Sequence, residues 1–179
     1  MIFTVRADSH IHTSGFFSKI SFKNFQMINV PLSGTTILNP TMRKFGAPET
    51  IIHQFQHWTV MLRPVQLTLG SLVLAAHESA RSFSQVGQES FTELHKVTGQ
   101  LESALAKAFN YDKLNYLMLM MVDPDVHFHI VPRYVESRHF NGLEFIDSGW
   151  PGPTDFNKAA KTDAETNRLI REHLISCWP

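Results

Sequence analysis

Cysteine is nearly absent from this sequence, since Cys177 is the only one among 179 residues. A single thiol cannot form an internal disulfide, so the chain is neither a disulfide-stabilised secreted scaffold nor a cysteine-rich zinc domain. This composition favours a reducing compartment, and we expect a cytoplasmic protein.

Net charge and long apolar segments are also missing. Sixteen Lys and Arg residues balance sixteen Asp and Glu residues, which leaves a formal net charge of zero. Such a chain has no global field of the kind that attracts duplex nucleic acid or anionic lipid, so any phosphate recognition must be local. The longest apolar run, residues 117–122, is far below the roughly 18 residues of a membrane-spanning helix. We therefore expect no membrane partner and no nucleic-acid partner.

The first 46 residues differ in composition from the rest of the chain. They carry five cationic side chains against one acidic side chain, and they contain turn-forming stretches such as Asn39-Pro40. This predicts a flexible or weakly structured N-terminal extension over 1–46, a globular domain over 47–140, and a C-terminal extension with a helix over 141–179. An acid-poor, Ser-rich start is also typical of a transit segment, so a mitochondrial location is the alternative.

From residue 49 onward, the spacing of apolar residues predicts four strands and two helices. An amphipathic helix is predicted over 88–109, where apolar residues recur at steps of three or four, and Ser90 and Glu93 have capping-box spacing. Residues 115–122 are short and evenly apolar, which predicts a strand covered on both sides. The other predicted elements are strands at 59–62, 69–74 and 125–131 and a helix that starts near residues 162–165. Helices segregated from such strands indicate an α+β fold.

Two histidines alternate with apolar residues in the strand predicted at 125–131. Side chains alternate between the two faces of a strand, so Asp125, His127 and His129 share one face. Neighbours on one face lie about 6.6 to 7 Å apart at Cα, close enough for one small ligand to touch two of them. Polar groups beside buried surface require partners, which makes this row the candidate site.

The segment His127-Phe128-His129-Ile130-Val131-Pro132-Arg133 resembles the signature strand of the histidine triad (HIT) superfamily of nucleotide hydrolases and transferases. In that family three histidines alternate with apolar residues, and the elements predicted over about 50–140 follow the family's order. The resemblance implies a HIT-like α+β fold, with an antiparallel sheet of about five strands and two main helices. It also implies a homodimer, for which the apolar strand over 115–122 would supply the interface.

The activity implied by the resemblance is cleavage of a nucleotide at its α-phosphate. His127 would attack the α-phosphorus of an ester, anhydride or amidate and form a nucleotidyl-histidine, which water then hydrolyses. A neutral imidazole is a good nucleophile near pH 7. His129 would donate a hydrogen bond to a non-bridging phosphate oxygen. The partner is then a nucleotide or nucleotide conjugate, and the scheme requires no metal and no other cofactor.

The sequence departs from the family pattern at Asp125, which stands where the first histidine of the triad is expected. Its carboxylate would repel a phosphate oxygen at about 5 Å by roughly 3 kcal/mol in an effective dielectric of about 20. Alternatively, the carboxylate accepts a hydrogen bond from an imidazole N–H and fixes its tautomer. The sequence leaves both readings open, and Asp125 is counted with His127 and His129 among the predicted catalytic residues.

A second group of predicted site residues lies upstream, around Gly70. By spacing, Arg63 falls near the family's ribose-contacting position, and Ser71 replaces a further histidine that is common after this glycine. Arg63 would hold a phosphate oxygen, and Gln66 would line the site. We therefore predict that Arg63, Gln66 and Ser71 contact the substrate.

Metal chemistry is the main alternative for the histidine row. Two imidazoles and one carboxylate suit Fe(II) or Zn(II), but ligands on one straight strand do not easily surround an ion, so we predict no metal site. The stretch Asp8-Ser9-His10-Ile11-His12 resembles the first ligand motif of amidohydrolase-like barrels. Those barrels need roughly 200 residues or more, and we interpret the match as coincidence.

Two functional hypotheses follow. The first is an enzyme that cleaves a nucleotide α-phosphate bond through a nucleotidyl-histidine. The second is a HIT-like nucleotide-binding or interaction module that has lost turnover because Asp125 replaces a histidine. The sequence favours the enzyme.

Overall fold

The computed structural model describes residues 38–179 of the chain. Most of the predicted N-terminal extension therefore lies outside the described residues, as does the motif at residues 8–12. The last part of that extension, residues 38–46, forms a short helix whose Met42 is fully buried against the sheet. Whether the rest of 1–46 is weakly structured stays a prediction, as do the domain limits near residues 46 and 140.

The elements of the described residues run in a mixed order along the chain. The helices are α1 (Pro40–Lys44), α2 (Gln88–Phe109) and α3 (Ala164–Cys177). The strands are β1 (Ile51–Gln54), β2 (Trp58–Leu62), β3 (Leu72–Ala76), β4 (Lys113–Leu117), β5 (His127–Arg133), β6 (Arg138–Phe140) and β7 (Leu143–Phe145). The first five strands form one antiparallel sheet in the order β1-β2-β3-β5-β4, and β6 pairs with β7. The predicted α+β fold with a five-stranded antiparallel sheet is confirmed.

One face of the sheet, the helix face, packs against α2 and α3. Helix α2 has the predicted bounds, because its apolar residues fall on one stripe that is buried along most of its length. Leu101 and Leu105 of α2 meet Ile170 and Leu174 of α3 over the sheet. The main core of the protein is therefore formed between the helices and β2, β3 and β5.

Helix α2 does not begin with the predicted capping box. Its N-cap is Gly87, which offers no side chain, and Ser90 lies inside the first turn with its hydroxyl bonded to Glu78. The Glu93 carboxylate instead accepts the backbone N–H groups of Gln56 and His57, at 3.0 and 2.6 Å. The two polar side chains thus fasten the helix to neighbouring loops.

The strand predicted at 115–122 is shorter and more exposed than expected. Strand β4 ends at Leu117 and lies at the edge of the sheet, where it pairs with β5 alone. Met121 and Val122 are 92% and 80% exposed. The prediction of a strand covered on both sides is wrong, because the apolar run continues past the last residue that β5 can pair. The predicted homodimer interface at this segment stays a prediction.

The other face of the sheet, the imidazole face, carries the side chains of His127 and His129. It is covered by α1 and by the irregular segment 146–160, which follows β7. The buried Arg133 of β5 holds this segment: its guanidinium donates to the Asp147 carboxylate at 2.6 Å and to the Gly152 carbonyl at 2.9 Å. None of the helices within residues 38–179 combines the length and apolarity that a bilayer crossing requires.

Candidate functional site

Strand β5 places both imidazoles side by side on the imidazole face. His127 pairs with Ala75 of β3, and His129 pairs with Val73, so small or apolar neighbours flank the rings. The ring centroids lie 5.1 Å apart with the planes nearly perpendicular, at 84°. The intervening Phe128 packs towards the helix face, as period-two alternation requires. The two rings therefore form one continuous surface.

The ring of His127 is fixed by the backbone of its own strand. Its Nδ1 lies 2.8 Å from the carbonyl oxygen of Asp125. A carbonyl only accepts hydrogen bonds, so Nδ1 of the neutral ring carries the proton and Nε2 carries the lone pair. His127 is fully buried, and its Nε2 has no hydrogen-bond partner within residues 38–179. The lone pair on Nε2 of the neutral ring therefore has a fixed direction.

The ring of His129 is neutral at physiological pH. Burial lowers its pKa to about 4, with smaller contributions from the neighbouring His127 and from the charge of Arg63. His129 is 6% exposed, and its Nδ1 has no partner among the described residues. A neutral imidazole holds one N–H donor and one lone pair. His129 therefore has a donor available for an oxygen that approaches His127.

Two phenylalanines cover the imidazoles. The Phe45 ring, at the end of α1, lies 5.7 Å from the His127 ring and 5.6 Å from the His129 ring. Phe156, in the segment 146–160, lies 5.6 Å from His129 in an edge arrangement. In this conformation the pair is closed off by aromatic side chains from two different parts of the chain.

The carboxylate of Asp125 does not accept a hydrogen bond from an imidazole N–H, one of the two roles considered from the sequence. It accepts the Thr41 hydroxyl at 2.9 Å and, more weakly, the Thr41 backbone N–H at 3.4 Å. The imidazole of His127 is held by the backbone carbonyl of Asp125 instead. The carboxylate side chain therefore contacts α1, and its predicted catalytic role stays a prediction.

Arg63 is the predicted substrate-binding residue that the fold brings to the imidazoles. Its guanidinium carbon lies 5.9 Å from the centre of the Phe156 ring, and its charge contributes to the lowered pKa of His129. Its Nη1 donates to the carbonyl of Val65, while its buried Nε is unpaired within the part of the chain described. Arg63 thus offers a cation beside His129 whose buried Nε–H has no partner within residues 38–179.

Gln66 and Ser71 are placed differently. Both are fully buried, and their polar atoms are used within the loop that joins β2 to β3. The Gln66 amide accepts the backbone N–H groups of Gly70 and Ser71 and donates to the Ser71 carbonyl. The Ser71 hydroxyl donates to the Thr68 carbonyl at 2.8 Å. Strand β3 begins at Leu72, after this loop, and not at residue 69 as predicted. We leave Gln66 and Ser71 out of the proposed site, because their polar atoms are already paired.

Sequence reasoning missed Thr41, Phe45 and Phe156. Each lies in a short helix or an irregular segment, where no periodicity indicates which face a side chain meets. A carboxylate at position 125 beside an apolar row was the one available signal that a polar partner must come from elsewhere. Among residues 38–179, no three His, Cys, Asp or Glu side chains lie close enough together to hold a metal ion.

Comparison with solved structures gives the fold. A histidine triad protein from Sinorhizobium meliloti has a TM-score of 0.63 and 19% identity, with 80% of this chain and 97% of that chain covered. A histidine triad protein from Bradyrhizobium japonicum has a TM-score of 0.62 and 17% identity, with 82% of this chain and 100% of that chain covered. One from Marinobacter aquaeolei has a TM-score of 0.61 and 19% identity, with the same two coverages. No family model matches the chain, and no curated protein matches it. The chain therefore has the histidine triad fold.

Proposed function

We propose that the protein binds a nucleotide or nucleotide conjugate over the imidazole pair and cleaves it at the α-phosphate. The observation that carries this proposal is the state of His127. Its Nδ1 donates to the Asp125 carbonyl, which leaves on Nε2 a buried lone pair that has no partner among residues 38–179. Buried polar atoms without partners are rare in folded proteins and concentrate at functional sites.

In the proposed reaction, Nε2 of His127 forms a bond to the α-phosphorus as the bond from phosphorus to the leaving group breaks. The leaving group departs with that electron pair and takes a proton from solvent. Nε2 and Nδ1 then both carry substituents, so the ring is cationic, and the Nδ1–H bond to the Asp125 carbonyl strengthens. Water next attacks phosphorus and gives up a proton to solvent, and the bond from phosphorus to Nε2 breaks, which releases the nucleoside monophosphate and returns the electron pair to Nε2.

Two neighbouring groups would stabilise the charge that develops on the phosphate oxygens. His129 is neutral and supplies an N–H donor. The centroid of its ring lies 5.1 Å from the centroid of the His127 ring. Arg63 supplies a permanent cation with an unpaired buried Nε–H, counted within residues 38–179. Preorganised donors in a site that excludes water stabilise a transition state more strongly than donors in solution. The Asp125 carboxylate is engaged by Thr41 and takes no part in these steps.

The second candidate function is nucleotide binding without turnover. It is favoured by the closure of the site, since His127 is fully buried beneath Phe45, and by the carboxylate where the fold's relatives would carry a histidine. The enzyme proposal requires that Phe45 or Phe156 move aside to admit the phosphate. The two candidates share a ligand and differ in whether His127 reacts with it.

The experiment is a panel of nucleoside phosphoramidates, dinucleoside polyphosphates and adenylated amines, incubated with the wild type and with His127→Ala. We expect nucleoside monophosphate release by the wild type and its loss in the variant, measured by chromatography. His95→Ala is the matched control, because His95 is exposed on α2 at the helix face. Equal release by wild type and His127→Ala would overturn the catalytic proposal. Calorimetric binding of AMP with no release by either protein would establish the second candidate.

A further inference from the structure

The residues that cover His127 are fastened to β3 and to the loop that leads into β5. We call residues 39–45, which include α1, the strap. Asn39 at its start donates to the Ala76 carbonyl of β3 at 2.9 Å. Lys44 near its end lies 2.6 Å from the Asp123 carboxylate. Between these two contacts, the Thr41 hydroxyl donates to the Asp125 carboxylate at 2.9 Å.

The contact between Thr41 and Asp125 is the strongest of the three fastenings. Both residues are buried, so their charge-assisted hydrogen bond is shielded from water and salt. The Lys44 side chain is half exposed, and exposed ion pairs contribute little. The Asn39 bond joins two neutral groups. Of the three polar contacts, the one to Asp125 therefore holds the strap most firmly, beside the burial of Met42 against the sheet.

The strap ends in the aromatic ring that lies on the imidazoles. Phe45 contacts both His127 and His129. The next residue, Gly46, has φ +83°, and a Cβ there would lie 2.9 Å from Cγ2 of Thr50. Only glycine adopts this conformation without strain. Phe45, whose ring covers the imidazoles, is thus followed directly by a glycine, the residue type with the greatest backbone freedom.

We propose that the strap is a latched lid, which Asp125 holds closed over His127 through Thr41, and that release of this bond admits a ligand to the imidazole pair. The carboxylate at position 125 then controls access to the site, and its backbone carbonyl separately orients His127. This inference rests on the proposed function for the identity of the ligand, and the closure of His127 is tested without any ligand.

The test measures how fast diethyl pyrocarbonate modifies His127, relative to the exposed His95, by tandem mass spectrometry of peptides from the full chain. This reagent acylates an unprotonated imidazole nitrogen that it can reach. Thr41→Val keeps the shape of the side chain and removes the hydroxyl. We expect it to raise the relative rate at His127 by about ten- to a hundredfold, the factor that corresponds to one hydrogen bond to a charged group.

Two controls bracket that measurement. Thr98→Val removes a threonine hydroxyl on α2 that bonds only within its own helix, and we expect the wild-type rate at His127. Phe45→Ala removes the covering ring itself, and we expect a rate at least as high as that of Thr41→Val. Circular dichroism confirms that each variant is folded.

A second variant keeps the proposal falsifiable if Thr41→Val fails to fold. Asp125→Ala removes the carboxylate and keeps the backbone carbonyl that holds His127, so it should raise the rate as Thr41→Val does. Wild-type rates in both variants, beside a raised rate in Phe45→Ala, would overturn the latch. Wild-type rates in all three would overturn the strap as the cover of His127.

Calorimetry with AMP on the same variants separates this proposal from the proposed function. If the strap competes with the nucleotide, AMP binds Thr41→Val more tightly than it binds the wild type. A raised rate at His127 with no AMP binding in any variant would support the latched lid and contradict the nucleotide function. Tighter AMP binding without a change at His127 would overturn the lid and support the function.

Discussion

The two faces of the five-stranded sheet are covered by different means. On the helix face, two long helices bury a continuous apolar core in which Leu101, Ile170 and Leu174 have no exposed surface. On the imidazole face, a five-residue helix and an irregular segment are held by a small apolar cluster around Met42 and by a few polar contacts, such as Thr41 to Asp125 and Arg133 to Asp147. Apolar packing over a large area separates only with global unfolding, whereas a few hydrogen bonds can open locally.

Half of the unpaired buried polar atoms gather around the imidazole pair. Within residues 38–179, six buried side-chain atoms have no partner, and three of them belong to His127, His129 and Arg63. Each such group lowers stability, by about 1–3 kcal/mol for a neutral one. The helix face carries most of the apolar core, and the imidazole face keeps unpaired polar groups that a purely structural surface would have paired or replaced.

The largest expected effect contrasts one truncation on each face. Leu101→Ala should lower the free energy of unfolding by about 2–5 kcal/mol, because it leaves a cavity in the main core. Met42→Ala, beneath the strap, should lower it by less than half as much, because the strap can detach without global unfolding. Urea denaturation followed by circular dichroism measures both values. Equal losses would contradict the division into a packed face and a latched face.

The next prediction concerns pH. Burial lowers the pKa of His129 to about 4 from 6.5, so between these values the unfolded chain binds more protons than the folded one. The contribution of His129 to stability is then complete above pH 6.5 and is lost as pH falls towards 4, by about 3 kcal/mol at most. Urea denaturation at pH 7.5 and pH 5 should show a smaller loss in His129→Asn than in the wild type. The same loss in both proteins would contradict a buried neutral imidazole.

The smallest expected effect lies at the end of the strap. Gly46→Ala forces an L side chain into a left-handed conformation and should cost about 1–2 kcal/mol. Because the strain favours the open strap, diethyl pyrocarbonate should also modify His127 faster than in the wild type. Gly99→Ala, on α2, is the matched control, since a Cβ there meets no atom within 4 Å and should leave that rate unchanged. An unaltered rate in Gly46→Ala would mean that the backbone at Gly46 does not govern the opening of Phe45 over His127.

The sequence predicted best where one periodic pattern ran through a long element. Helix α2 has the predicted bounds, because its apolar stripe repeats over 22 residues. The alternation around His127 and His129 likewise gave a strand with both rings on one face. The run at 115–122 was misread, because composition does not show that β4 has a neighbour on one side only.

The partners of the site residues depend on tertiary contacts that a single sequence does not encode in local patterns. Thr41 lies 84 positions before Asp125, and no spacing rule joins them. Gln66 was predicted to line the site because it is polar and lies between Arg63 and Ser71, and its amide completes a buried loop. Phe156 lies against His129 in the segment 146–160, which Arg133 holds through Asp147 and Gly152.

The most direct test of the central claim is the search for a covalent nucleotide on His127. Wild-type protein is mixed with a nucleoside phosphoramidate, quenched within a single turnover without acid, and digested for tandem mass spectrometry. The account predicts the added mass of one nucleoside monophosphate on His127, absent in His127→Ala. Nucleotide release with the adduct on another residue, or with no adduct at any time point and no dependence on His127, would contradict it.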